Sequence, residues 1–205
     1  MKKSILTAAS AMAILAAGTA SAITYNITDT VSIPSGGIGN PFVTDYEAAF
    51  GAGNVGFGLV QSADASALDT SVGFSYAFSS SRFENLFTFG SNSIDEAGNT
   101  AFIYTDGVAT FTGTDMEFTV VTGSGSPPPA DAALGDIGFG IFYDLTETNN
   151  TVFLAFADRA SEGDSDYSDH VIQTSGTVNV VPLPAAAWML LAGIGGLVSM
   201  RRRKS

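Results

Sequence analysis

The densest set of groups able to do chemistry runs from Asp158 to His170, reading DRASEGDSDYSDH. Asp158, Glu162, Asp164, Asp166 and Asp169 all fall within this stretch. Such carboxylates converge only if a cation offsets their repulsion, and hard oxygen ligands on a flexible loop suit calcium. Calcium is therefore the expected cofactor if the segment holds an ion. The D-x-D-x-x-D spacing is close to an EF-hand opening. It lacks the glycine at the sixth position and the distal bidentate glutamate, which excludes an EF-hand. The competing reading is an acidic, solvated turn, for which a run of Asp, Ser and Gly is ordinary.

Other candidate sets carry less. Asn92-Ser93-Ile94-Asp95-Glu96-Ala97-Gly98-Asn99 reads as a solvated hairpin loop rather than an ion site. His170, the single histidine, has Ser165, Ser168, Asp166 and Asp169 close by in sequence. Adjacent residues on a strand point to opposite faces, and no G-x-S-x-G elbow occurs, so no Ser-His-Asp triad is expected. Glycoside hydrolysis needs two carboxylates held roughly 5–10 Å apart, and nothing selects such a pair among the 20 acids. No catalytic residue is expected, and the chain is not expected to be an enzyme. A secreted hydrolase is the least favoured alternative. Phe83, Phe87, Phe89, Phe102, Tyr104 and Phe111, at strand spacing, read as core rather than as a sugar-stacking platform. The sole tryptophan, Trp188, lies near the C-terminus, away from any such platform, and there is no cysteine to make a disulfide or thiolate site.

The elements that must position these groups are strands. Val72, Phe74, Tyr76 and Phe78 alternate with smaller residues. Ile137, Phe139, Ile141, Tyr143 and Leu145, spaced by Gly138, Gly140, Phe142 and Asp144, keep the same period, as do Met116, Phe118 and Val120, and Val152, Leu154 and Phe156. A period of two means a strand with one buried face. Further strands are expected at 25–33, 55–60, 83–89, 101–104, 108–111 and 171–180, with Asp106-Gly107 as a hairpin turn. Asp45 to Phe50 reads as a helical turn. Gly123 to Ala130, rich in Pro, Gly and Ser, reads as a long exposed loop within one domain. The expected fold is all-β: a single antiparallel β-sandwich, jelly-roll-like, over residues 23–180.

The two ends read as addresses. Residues 1–22 have a charged start (Lys2, Lys3), an apolar stretch from Ile5 to Ala17 and an A-x-A site at Ala20-Ser21-Ala22, the layout of a secretory signal peptide. Cleavage after Ala22 makes Ile23 the first mature residue, with the secretion translocon and signal peptidase as partners. At the other end, Pro182 and Pro184 precede an apolar run from Ala185 to Met200 and the basic cluster Arg201-Arg202-Arg203-Lys204. The run reads as a short transmembrane helix, and the positive-inside rule keeps the cluster cytoplasmic as a stop-transfer signal. Val181-Pro182-Leu183-Pro184-Ala185, the Trp-containing apolar helix and the basic end resemble a VPLPA-type sorting tail, of the PEP-CTERM class of Gram-negative bacteria. The resemblance covers residues 181–205. It implies an exosortase-type protease as partner, with the inner membrane as a way station to the cell envelope, surface or extracellular space.

The segment FLAFADRASEGDSDYSDHVI also resembles a motif common in exported bacterial proteins. There a Phe-x-Phe-Glu-Asp strand end precedes an acidic loop and Asp-x-Asp-Tyr/Phe-Asn-Asp. Ala157 stands in place of the Glu and Ser168 in place of the Asn, whereas Asp158, Asp164, Asp166, Tyr167 and Asp169 keep the pattern. The resemblance implies a β-sandwich module of surface proteins.

Charge agrees with export. Six of the eight basic residues sit at the two tips, leaving Arg82 and Arg159 against all 20 acids in the body, a net of −18 there and −12 overall. Such a body excludes nucleic acid, whose phosphates need neutralising cations. It tolerates saline surroundings, where salt screens its carboxylates from one another. The expectation is an exported cell-surface or extracellular-matrix protein, structural or adhesive. The first alternative is a calcium-dependent binding module for glycan, with extracellular polysaccharide as its partner.

Overall fold

The computed structural model describes residues 23–30, 42–65, 72–79, 81, 83–97, 100–105, 109–122, 129–160 and 166–181. The signal peptide with Ala20 and Ala22, Asp106-Gly107, Gly123 to Pro128, Glu162, Asp164, and the tail from Pro182 through Leu183, Pro184, Ala185 and the basic cluster lie outside them. Among the described residues, twelve strands and one helix follow in order: β1 (Ile23–Thr30), α1 (Phe42–Phe50), β2 (Val55–Ala65), β3 (Val72–Phe78), β4 (Glu84–Phe89), β5 (Asn92–Asp95), β6 (Ala101–Tyr104), β7 (Ala109–Phe111), β8 (Gly113–Thr122), β9 (Ala132–Leu134), β10 (Phe139–Asp144), β11 (Thr151–Phe156) and β12 (His170–Val180). The chain is all-β, as its alternation implies. Among the described residues, no helix is long and apolar enough to cross a membrane.

The architecture departs from a single antiparallel sandwich. The larger sheet runs β1-β2-β10-β11-β12-β3-β6 with β7 on β2, and β1 also pairs with β12. That pairing is parallel, Ile23 opposite Gly176 and Ile27 opposite Val180, so β1, β2, β10, β11 and β12 close into a five-stranded barrel. A register shift in the β1–β2 pair after Asn26 adds local twist, which helps a sheet curl onto itself. The smaller sheet, β5-β4-β8-β9, shares the first core with it. The expected Asp106-Gly107 hairpin does not form between its flanking strands: β6 pairs with β3, and β7 with β2. The expected solvated loop at 92–99 begins instead with β5, whose Ile94 is buried.

Two cores result. The first joins inward residues of the barrel to the smaller sheet and centres on Phe118, whose ring lies 5.0 Å from Phe87, 5.0 Å from Phe139 and 5.2 Å from Phe156. The second lies on the opposite face, where Tyr46 and Phe50 of α1 cover Phe142 and Phe153; the Tyr46 and Phe142 rings stack at 3.9 Å. Strand β10 is therefore buried on both faces, although its alternation suggested one. The helix that covers Phe142 is nine residues long and begins three residues before the expected 45–50.

The β10–β11 turn is held by one carboxylate. Asp144 accepts hydrogen bonds from the Thr146 N–H (2.8 Å) and hydroxyl (2.7 Å) and from the Thr148 hydroxyl (2.9 Å). The Thr146 hydroxyl bond first, then its backbone N–H, hold the Asp144 carboxyl below the ordinary value of 3.8. A group whose folded pKa is depressed contributes stability above that range and loses it as pH falls through the folded value. Asp144→Ala is expected to lower the thermal midpoint at pH 7 by a few degrees. The gap from the unmodified protein should close as melts are repeated toward pH 3.

Candidate functional site

The acidic segment sits where the β11–β12 hairpin opens. Asp158 follows β11 by two residues, and Asp169 precedes β12 by one. Antiparallel pairing brings them face to face. The Asp158 N–H donates to Asp169 Oδ2 (2.8 Å), and the Asp169 N–H donates to the Phe156 carbonyl (3.1 Å). Asp158 is 4% exposed and Asp169 9%. These two acids are therefore not part of a solvated turn. The Ser81 hydroxyl donates to Asp158 Oδ2 (3.3 Å), and the Ala130 N–H to the Asp158 carbonyl (2.8 Å).

A third oxygen donor comes from the other sheet. Asn85 of β4 is buried; its Nδ2 donates to the Asp169 carbonyl (3.1 Å), and its Oδ1 has no hydrogen-bond partner. A buried acceptor without a partner costs about 1–3 kcal/mol, so a donor or cation at this oxygen would be stabilising. Asn85 and Ser81 were not singled out from sequence. The signal for Asn85 was present: in β4 the inward positions are Asn85, Phe87 and Phe89, and a lone amide in an apolar file asks for an explanation.

The remaining expected ligands do not join this group. Asp166 is half-buried and accepts from the Ser168 N–H (3.4 Å), while Glu162 and Asp164 lie outside the described residues. Among the described residues, no three His, Asp or Glu side chains converge with metal-ligand geometry. Asp158, Asp169 and Asn85 are oxygen donors of the kind calcium prefers, but they fall short of the six to eight that it takes. The neighbouring Tyr167 has a positive φ of 48°, packs its ring 4.7 Å from Phe57 and donates its hydroxyl to the Ile137 carbonyl. The segment's end is thus pinned across β2 and the approach to β10.

His170 is fully buried between the Tyr76 ring (5.5 Å) and the Phe118 ring (5.9 Å). Its Nδ1 lies 3.9 Å from Glu96 Oε1, an oxygen that accepts from the Ser79 hydroxyl (2.5 Å). Neither ring nitrogen makes a hydrogen bond, and no serine hydroxyl is placed for a triad among the described residues. Arg159 sets its guanidinium 5.4 Å from the Phe83 ring. Most of the aromatic file is core, as its spacing implied: Phe87, Phe89, Tyr104 and Phe111 are buried, Phe102 packs half-buried against them, and Phe89 touches both Tyr104 (4.7 Å) and Phe111 (4.8 Å); Phe83 departs from it, half-buried and outside both cores.

Burial also marks the tyrosines. The Tyr167 hydroxyl is pushed up to about 12 from 10.0 by desolvation, and Tyr25, Tyr76 and Tyr143 are raised in the same direction, burial the largest cause in each. Unfolded tyrosines ionise near 10, so the stability these groups contribute is full below that pH and lost as pH rises through the folded values. Alkaline titration by near-ultraviolet dichroism should show cooperative unfolding between about pH 10 and 12, shifted in Tyr167→Phe.

No family model, curated protein or solved structure matches the chain.

Proposed function

We propose that this chain is an exported cell-surface or extracellular-matrix protein of a Gram-negative bacterium, structural in role, cut after Ala22 and again near its VPLPA-type tail by an exosortase-type protease. One observation carries the reading. The barrel occupies the span between the two expected cuts. Strand β1 opens at Ile23, which is fully buried between Ala65 of β2 and Gly176 of β12. Strand β12 closes at Val180, and the Val181 N–H donates to the Ile27 carbonyl (2.7 Å). Neither cut removes a described residue of the barrel. The sorting motif follows directly, where proline keeps a cleavable segment extended and non-helical.

Intact mass tests the processing. Surface material should begin at Ile23 and lack 188–205, and with Trp188 gone it should show no tryptophan emission. Mature protein that retains Trp188 overturns the cleavage, and a chain that is never exported overturns the reading.

A second reading, calcium binding at the acidic segment, is favoured by the buried, unpartnered Oδ1 of Asn85, whose Nδ2 donates to the Asp169 carbonyl, and by the burial of Asp158 and Asp169. Calcium at about 100 times its Kd would add roughly 2.7 kcal/mol to stability. Melts in calcium against chelator should then differ by several degrees, and Asp158→Asn should abolish the difference. Identical melts exclude a site.

A further inference from the structure

The tail leaves the barrel at a particular end. Strand β12 spans 11 residues, so its ends stand roughly 33 Å apart at about 3.3 Å per residue. Val180 and Val181 mark one end. The β10–β11 turn opens toward the same end but meets β12 near its middle, where the Gly176 N–H donates to the Asn150 carbonyl (2.7 Å) and Thr151 pairs with Ser175. The other end, at His170, carries Asp158, Asp166 and Asp169, with Glu84 next to Asn85 and Glu96 beside the imidazole.

At the exit end Val180 is 46% exposed and Val181 38%, with Leu145 on the β10–β11 turn 53%; at the other end Ile137 is 52% exposed. Among the described side chains, Glu147 is an exposed acid on the exit side. Only Pro182, Leu183 and Pro184 separate Val181 from the apolar run that begins at Ala185. Four Cα steps reach at most about 14 Å even when fully extended. A chain tethered that closely cannot lift its exit end clear of a bilayer.

Resting on the reading of the tail as a membrane segment, we propose that the exit end of the barrel is a lipid-facing surface. Val180, Val181 and Leu145 meet the outer face of the inner membrane, and Asp158, Asp166 and Asp169 are held on the far side. Burying the three exposed apolar side chains at the interface favours this pose, and an anionic bilayer repels the carboxylate-rich end more strongly than the exit end.

The chain has no cysteine, so single-cysteine labels report position cleanly. Asn179→Cys marks the exit end and Glu84→Cys the far end; both residues are exposed. Full-length chain made in a host without a sorting protease is labelled with a fluorescent donor. It is then reconstituted into phosphatidylethanolamine–phosphatidylglycerol vesicles bearing acceptor headgroups. Energy transfer to the lipid should be several-fold stronger from position 179 than from position 84. Equal or reversed transfer in protein that floats with the vesicles overturns the orientation while leaving the tail reading intact. Failure to float overturns both. Should either label disturb the fold by circular dichroism, Thr177→Cys and Asp131→Cys supply the same comparison.

Discussion

Phe118→Ala is expected to destabilise the protein by about 3–5 kcal/mol, the range for truncating a fully buried phenylalanine. The ring is inaccessible to solvent and touches Phe87 on β4, Phe139 on β10, Phe156 on β11 and His170 on β12. It is the contact at which the smaller sheet meets the barrel. Parallel stacking on Phe156, with ring planes 4° apart, fixes its position and leaves no side chain free to fill the space. For a body of this size the loss corresponds to a fall in thermal midpoint of about 10 °C or more. A urea titration read by far-ultraviolet dichroism checks it. A cost below about 1 kcal/mol would mean that the two sheets do not share this core.

Gly176→Val is expected to cost about 2–3 kcal/mol by overpacking, because it strikes the seam of the barrel. A Cβ placed on Gly176 would lie 2.5 Å from Tyr25 Cε2 and 2.8 Å from the Ile23 carbonyl oxygen. Neither neighbour has room to move: Tyr25 is fully buried, and the Ile23 oxygen belongs to the strand that β12 pairs with. The adjacent Thr177→Val, on the exposed face, should stay within about 0.5 kcal/mol. Equal midpoints for the two variants would place β1 somewhere other than against β12.

The strands were legible where their periodicity was clean. Val72–Phe78 and Ala101–Tyr104 match the expected spans, and Phe83–Phe89, Val152–Phe156 and Val171–Val180 differ by a residue or so. Alternation is a local property, so it survives without knowledge of partners. Phe142 shows its limit: it lies on the face of β10 opposite Phe139 and Ile141, and only α1 packing across it makes that face interior. The Asp106-Gly107 hairpin failed for a related reason. Turn chemistry favours a reversal but does not choose which strand pairs with which, and β3 and β2 offered longer partners. Of the acidic segment, the carboxylates were legible as a cluster. The burial of Asp158 and Asp169, and the Asn85 amide that reaches the Asp169 carbonyl from the other sheet, were not.

By itself the sequence determined an all-β body, poor in cations and strongly acidic, between two terminal segments of opposite charge. Each of these follows from composition or from short-range periodicity, which no distant contact alters. The tertiary structure alone decided that β1 closes a barrel against β12, that Asp158 and Asp169 sit buried face to face, and that the acidic end lies a strand's length from the exit. These depend on pairings between residues as far apart as Ile23 and Gly176. Such pairings are selected by the shared core as a whole, and no single stretch of chain encodes them.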